Sequence, residues 1–77
     1  MSSPSQTLTF ILQSILEDST DVTVTDRQEN NVTILEVAAP SELKGRIIGK
    51  NGRIINAIRI IVSISFPQQR IIIRIID

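Results

Sequence analysis

Leu8, Ile11, Leu12, Ile15 and Leu16 fall at i, i+3, i+4, i+7 and i+8, the spacing of one face of an α-helix. An amphipathic helix is therefore predicted over 7–16. Ser3 is placed to cap it, Pro4 to occupy its first position and Gln6 to close a capping box, while Glu17-Asp18-Ser19-Thr20 ends it. Residues 1–6 are also expected to be the loosest part of the chain. Residues 21–27 alternate polar and apolar and are rich in β-branched side chains, which predicts a strand. A turn is expected at Gln28-Glu29-Asn30-Asn31, and a second strand, its hairpin partner, over 32–38.

Pro40-Ser41-Glu42 reads as the start of a helix that runs through Leu43 to Ile48 and stops at Gly49. Residues 53–64 admit two readings. Asn51-Gly52 between Ile pairs is a strong hairpin signal. Against it, the polar residues Arg53, Asn56, Arg59 and Ser63 recur at helical spacing. The apolar set Ile54, Ile55, Ile58, Ile61 and Val62 does the same, and neither parity alternates as a strand should. A helix is the preferred reading, ended by Pro67. Residues 70–76 then form a last strand, with Ile71, Ile73 and Ile75 on one face and Arg70, Ile72, Arg74 and Ile76 on the other. The order predicts an α+β fold, helix-strand-strand-helix-helix-strand, in which a three-stranded sheet carries three helices on one face.

A length of 77 residues leaves room for one small domain, 1–77, with a marginal core. The chain has no Cys, His, Tyr or Trp. That removes disulfides, thiolate or imidazole metal ligands and most nucleophile–base pairs, so neither a metal site, a cofactor nor an enzyme is expected. Met1 to Ser5 lacks the basic region of a signal peptide, and no apolar tract is long enough to span a bilayer. The cytoplasm is the expected location.

Formal net charge is zero, but the charges are segregated. Up to residue 42, Arg27 is the lone base among Glu17, Asp18, Asp21, Asp26, Glu29, Glu36 and Glu42. From 43 to 76 the charged residues are Lys44, Arg46, Lys50, Arg53, Arg59, Arg70 and Arg74, all basic. Such asymmetry points toward a polyanion or a charged surface, where an even scatter would mean only solvated charges.

The basic half centres on Gly49-Lys50-Asn51-Gly52. Glycines at both ends of a helix–loop–helix junction let another backbone approach closely, and the N-terminus of the following helix favours a phosphate. Lys50 and Arg53 add positive charge, and Arg46 and Lys44 would widen the basic rim. The plain alternative is a turn in which Gly ends one helix and Asn starts the next. A nucleotide-hydrolysing phosphate loop does not fit: only three residues separate Gly45 from Gly49, and Asn51 stands where Ser or Thr should hold Mg²⁺. Gly45 and Gly49 also match the small-residue spacing of membrane helices, but without the apolar segment that gives it meaning.

The string I-I-G-K-N-G-R-I-I-N-A-I-R, with the order of elements around it, resembles the KH domain in its type II arrangement. It is similar to the V-I-G-K-x-G-R-x-x-x-A-[IL]-R pattern of the small stand-alone bacterial KH proteins of the KhpA type. The similarity covers nearly the whole chain, with Pro40 to Leu43 matching less well. The resemblance implies non-catalytic binding of single-stranded RNA, as a small RNA chaperone or post-transcriptional regulator. About four nucleotides would lie across the loop, their bases in an apolar groove between the two helices and a strand. By this resemblance Gly49 and Gly52 allow backbone approach, Lys50 and Asn51 meet phosphate or sugar, and Arg53 sits in the first turn beyond. Ile47 and Ile55 would wall the groove. Asn56 and Arg59, on the stripe of Arg53, would extend the contact, unless Arg59 is merely solvated. Phe10 and Phe66 lie far from the loop in sequence, so no aromatic platform is expected there, and binding should be weak and salt-sensitive.

Ile60, Ile64, Ile72 and Ile76 exceed what so small a core needs, which suggests a partner surface. The family likeness points to a homodimer, or a heterodimer with another KH-containing protein. The competing function is therefore a protein-interaction module with a KH shape and little affinity for RNA.

Overall fold

A computed structural model describes residues 3–18 and 20–76. The first helix, α1, spans Pro4–Ile15 and opens with the expected capping box: the Gln6 N–H donates to Ser3 Oγ (3.2 Å) and the Ser3 N–H to Gln6 Oε1 (2.9 Å). These two bonds satisfy otherwise orphan donors at the start of the helix. Met1 and Ser2 lie outside the described residues. Leu8, Leu12 and Leu16 are buried, whereas Ile15, expected on the same face, is exposed. Beyond the helix, Asp18 accepts from the Thr20 N–H (3.0 Å), which holds its carboxyl below the ordinary pKa.

Strands β1 (Thr23–Glu29) and β2 (Val32–Ala38) form an antiparallel hairpin. Its turn is shorter than expected. Asn30 and Asn31 alone make it, with φ of 52° and 67°, so Gln28 and Glu29 belong to the strand and β1 starts two residues later than predicted. Two consecutive left-handed residues suit the right-handed twist of a hairpin, and Asn tolerates that conformation better than most residues.

Helix α2 (Ser41–Ile48), a single 3₁₀ turn (Lys50–Gly52) and helix α3 (Arg53–Ser65) lead to β3 (Arg70–Ile76). The hairpin reading of Asn51-Gly52 is excluded. Strand order is β1-β2-β3, and β3 runs parallel to β2, with Leu35 opposite Ile73. Parallel neighbours need a long crossover, which α2 and α3 supply.

The core lies between one face of the sheet and the three helices. Leu35, Val37 and Ile73 meet Leu8, Leu12 and Leu16 from the α1 segment, Ile47 of α2, and Ile55, Ile58 and Val62 of α3. Each such side chain contributes about 1.5–3 kcal/mol on burial. Thr33 is the buried polar side chain of this face, and its hydroxyl is satisfied by Gln28 Nε2 (2.7 Å) and Gln69 Oε1 (3.4 Å). Among the described residues no helix covers the opposite face, yet Ile34 on it is only 4% exposed. Its β1 neighbour Arg27 spans that face, paired with Glu29 (2.8 Å) and Glu36 (3.7 Å). Long charged side chains can cover apolar surface in this way with their stems.

Candidate nucleic-acid interface

The junction between α2 and α3 is built from left-handed backbone. Gly49 has φ 74° and ψ 175°, a region open essentially to glycine alone. Asn51 (φ 58°, ψ 25°) and Gly52 (φ 73°, ψ 17°) are both left-handed. The turn closes with Gly52 N–H donating to the Gly49 carbonyl (3.2 Å).

The two glycines are needed for different reasons. A β-carbon on Gly49 would press into the Ile54 side chain. One on Gly52 would meet ordinary contacts, so only its φ demands glycine. Gly45, inside α2, would meet nothing.

Of the plain-turn alternative, Gly49 does end α2, but Asn51 does not cap the next helix. The cap residue of α3 is Gly52, no side chain among the described residues caps the helix, and the first turn carries no acid. Instead Lys50 and Arg53, both exposed, stand at the positive end of the helix dipole. Cations there typically cost a helix about 0.3–1 kcal/mol each at an exposed site. An unpaired helix end with added cations is an arrangement suited to a bound anion.

The remaining expected site residues are placed unevenly. Asn51 and Asn56 are exposed, and Gly49 and Gly52 half-buried, all on or beside the loop. Lys44 is half-buried on α2. Arg46 is exposed but lines a different cleft, among Glu17, Asp18, Asp21 and Glu42, so it does not extend a purely basic rim. Ile47 is fully buried and Ile55 nearly so. Both, expected to wall the groove, belong to the core cluster beneath the sheet-facing side of α2 and α3.

A groove exists nonetheless, further along α3. Arg59, Ser63, Ile71, Ile72 and Ile73 line a cleft of about 300 Å³ between α3 and the edge strand β3. The Arg59 guanidinium is held at two points, by Asn56 Oδ1 (3.1 Å) and the Ile73 carbonyl (3.3 Å). Arg53, Asn56, Arg59 and Ser63 form one polar stripe leading from the loop to this cleft. The 3-3-4 spacing in the sequence is the signal for it, but the partnership of Arg59 with β3 has none. Among the described residues no group of three acidic, Cys or His side chains is placed to hold a metal, and no helix is long and apolar enough to cross a membrane.

Two helices joined by a G-x-x-G turn, crossing to a strand parallel to its neighbour with every helix on one sheet face, define a type II KH domain. The chain belongs to the KhpA/KhpB KH-domain family, whose model matches residues 5–75. It is similar to the RNA-binding protein KhpA of Treponema pallidum (strain Nichols), 35% identical over 72 residues that cover 91% of this chain and 90% of the relative. It is also similar to the RNA-binding protein KhpA of Leifsonia xyli subsp. xyli (strain CTCB07), 30% identical over 70 residues, 91% of this chain and 92% of the relative. No solved structure matches at a significant level.

Proposed function

We propose that this protein binds single-stranded RNA, without catalysis, by clamping its backbone on the Gly49–Gly52 loop. It acts in the cytoplasm as a small RNA chaperone or post-transcriptional regulator. The observation that carries the reading is the uncapped start of α3 with Lys50 and Arg53 beside it. The names of the two KhpA relatives support the same ligand. In this reading the phosphates meet the loop N–H groups, Lys50, Asn51 and Arg53, with Lys44 behind them. Gly49 and Gly52 keep the approach open, and Asn56 begins the path along α3. Bases enter the cleft between α3 and β3, whose floor is Ile71 and Ile73.

The test is fluorescence anisotropy with short single-stranded RNA at low and moderate salt, comparing the native chain with a Lys50→Asp, Asn51→Asp variant of equal fold. Binding that the variant abolishes supports the clamp. Binding that is absent, or equal in both, overturns it.

A second reading, of a protein-interaction module, is favoured by α3. Its outer surface carries Ile60, Ile61 and Ile64, the last 72% exposed, and Ile54 is exposed at its start. In a chain this small such a patch supports pairing with a second copy or with another KH-containing protein. The two readings are compatible, because Ile60, Ile61 and Ile64 lie in the half of α3 away from the loop.

A further inference from the structure

Arg59 is the one charged side chain among the described residues lining the cleft beside β3. It is exposed, yet its guanidinium is tethered on two sides, to Asn56 on its own helix and to the Ile73 carbonyl on the edge strand. Those contacts engage one N–H of each terminal nitrogen. A guanidinium has five N–H donors in a rigid planar fork, so three remain for a ligand. Pinning the fork in advance lowers the ordering cost when a flat partner meets it. The rest of the lining is apolar isoleucine and the small hydroxyl of Ser63. The cleft is therefore walled by isoleucine side chains and the backbone of edge strand β3, with a fixed guanidinium fork that only donates.

We infer that Arg59 selects bases that present two adjacent hydrogen-bond acceptors, namely guanine through O6 and N7 or cytosine through O2 and N3. Adenine sets a donor amine beside each ring acceptor of its N1 and N7 edges, and uracil separates its two carbonyl acceptors by an N–H. Neither offers a fork two neighbouring lone pairs along those edges. The position agrees with this role: Arg59 lies six residues beyond Arg53, about 9 Å of helix rise from the phosphate-facing end of α3. This selectivity rests on the proposed clamp, which by itself reads only backbone and is indifferent to sequence.

The experiment measures anisotropy with labelled octacytidylate, octaadenylate, octauridylate and an alternating guanylate–uridylate octamer, on the native chain, Arg59→Gln, Arg59→Lys and the Lys50→Asp, Asn51→Asp variant. The native chain should bind the cytidylate or guanylate-containing RNA about 5- to 150-fold more tightly than the adenylate and uridylate RNAs, the range of one good bidentate contact. The arm that carries the preference identifies which base is read. Arg59→Gln should bring the four affinities to within about twofold of one another and leave adenylate binding nearly unchanged. Arg59→Lys, which keeps the charge but not the fork, should lose the preference as well. Equal native affinity for all four RNAs, still abolished by the loop variant, overturns the base reading and leaves the clamp intact. So does uniform weakening by Arg59→Gln, which would make Arg59 a phosphate contact. If no RNA binds in a loop-dependent way, the clamp fails and the base reading falls with it.

Discussion

A β-carbon placed on Gly49 would lie 2.6 Å from Cγ1 of Ile54. Ile54 sits in the first turn of α3, so the first residue of the loop and the second residue of the next helix share one space. β-Branched Ile is nearly confined to one rotamer in a helix and cannot swing clear. Gly49→Ala therefore meets both a clash and a forbidden φ, and should destabilise the protein by about 2–4 kcal/mol. Gly52→Ala meets only the left-handed penalty, about 1–2 kcal/mol. Urea unfolding followed by circular dichroism checks the order. Ile54→Ala should relieve part of the Gly49→Ala loss, so that the double variant is less damaged than the sum of the two. Strict additivity would show that the contact does not matter.

Gly45 offers the opposite case. It lies within α2, exposed, where a β-carbon has open space. Gly45→Ala should stabilise the fold by about 0.5–1 kcal/mol through helix propensity. A rise in the urea midpoint at unchanged slope is the expected result. A fall would mean that α2 is not helical at this position.

The loop cations predict a salt law. For single strands the logarithm of affinity falls with the logarithm of salt at about −0.7 per phosphate neutralised. Lys50→Gln should make that slope shallower by about 0.7, and Arg53→Gln by a similar amount. Arg46→Gln, placed among acidic side chains, should change it little. Titrations at several salt concentrations measure all three. An Arg46 effect as large as that of Lys50 would return Arg46 to the basic rim.

The isoleucines divide into two groups with different consequences. Ile47→Ala removes a side chain with no exposure and should cost about 2–5 kcal/mol. Ile64→Ala, at 72% exposure, should change stability by less than about 0.5 kcal/mol. Ile60→Glu with Ile64→Glu should leave the monomer folded but shift the native chain toward a single protomer in sedimentation, if α3 pairs with a second copy. An unchanged mass at high concentration would place the contact elsewhere.

Much of this architecture was legible because short-range physics wrote it. The Ser3–Gln6 capping box, the stop at Gly49 and the strand 70–76 depend on residues only a few positions apart, and each stands where the pattern put it. The G-x-x-G turn was equally plain, since the left-handed φ of both glycines is a local demand. The length of the hairpin turn is not legible in the sequence, because Asn30 and Asn31 can each be left-handed or not, and the strand twist decides it.

The sequence by itself determined which segments are helix and which are strand, the sign of charge at the loop and the need for glycine there. These follow from periodicity, propensity and sterics within one turn of chain. Tertiary structure alone decided which isoleucines are core. Helical spacing groups Ile54, Ile55, Ile58, Ile61 and Val62, but only the docking angle of α3 on the sheet buries Ile55, Ile58 and Val62 and leaves Ile54 and Ile61 outside. It also turned Ile47 inward and set Arg46 among acids. And it brought Arg59 to the Ile73 carbonyl, fourteen residues away, because parallel pairing of β3 with β2 places that strand edge beneath α3. Contacts of this kind depend on where whole elements come to rest, which no spacing along the chain records.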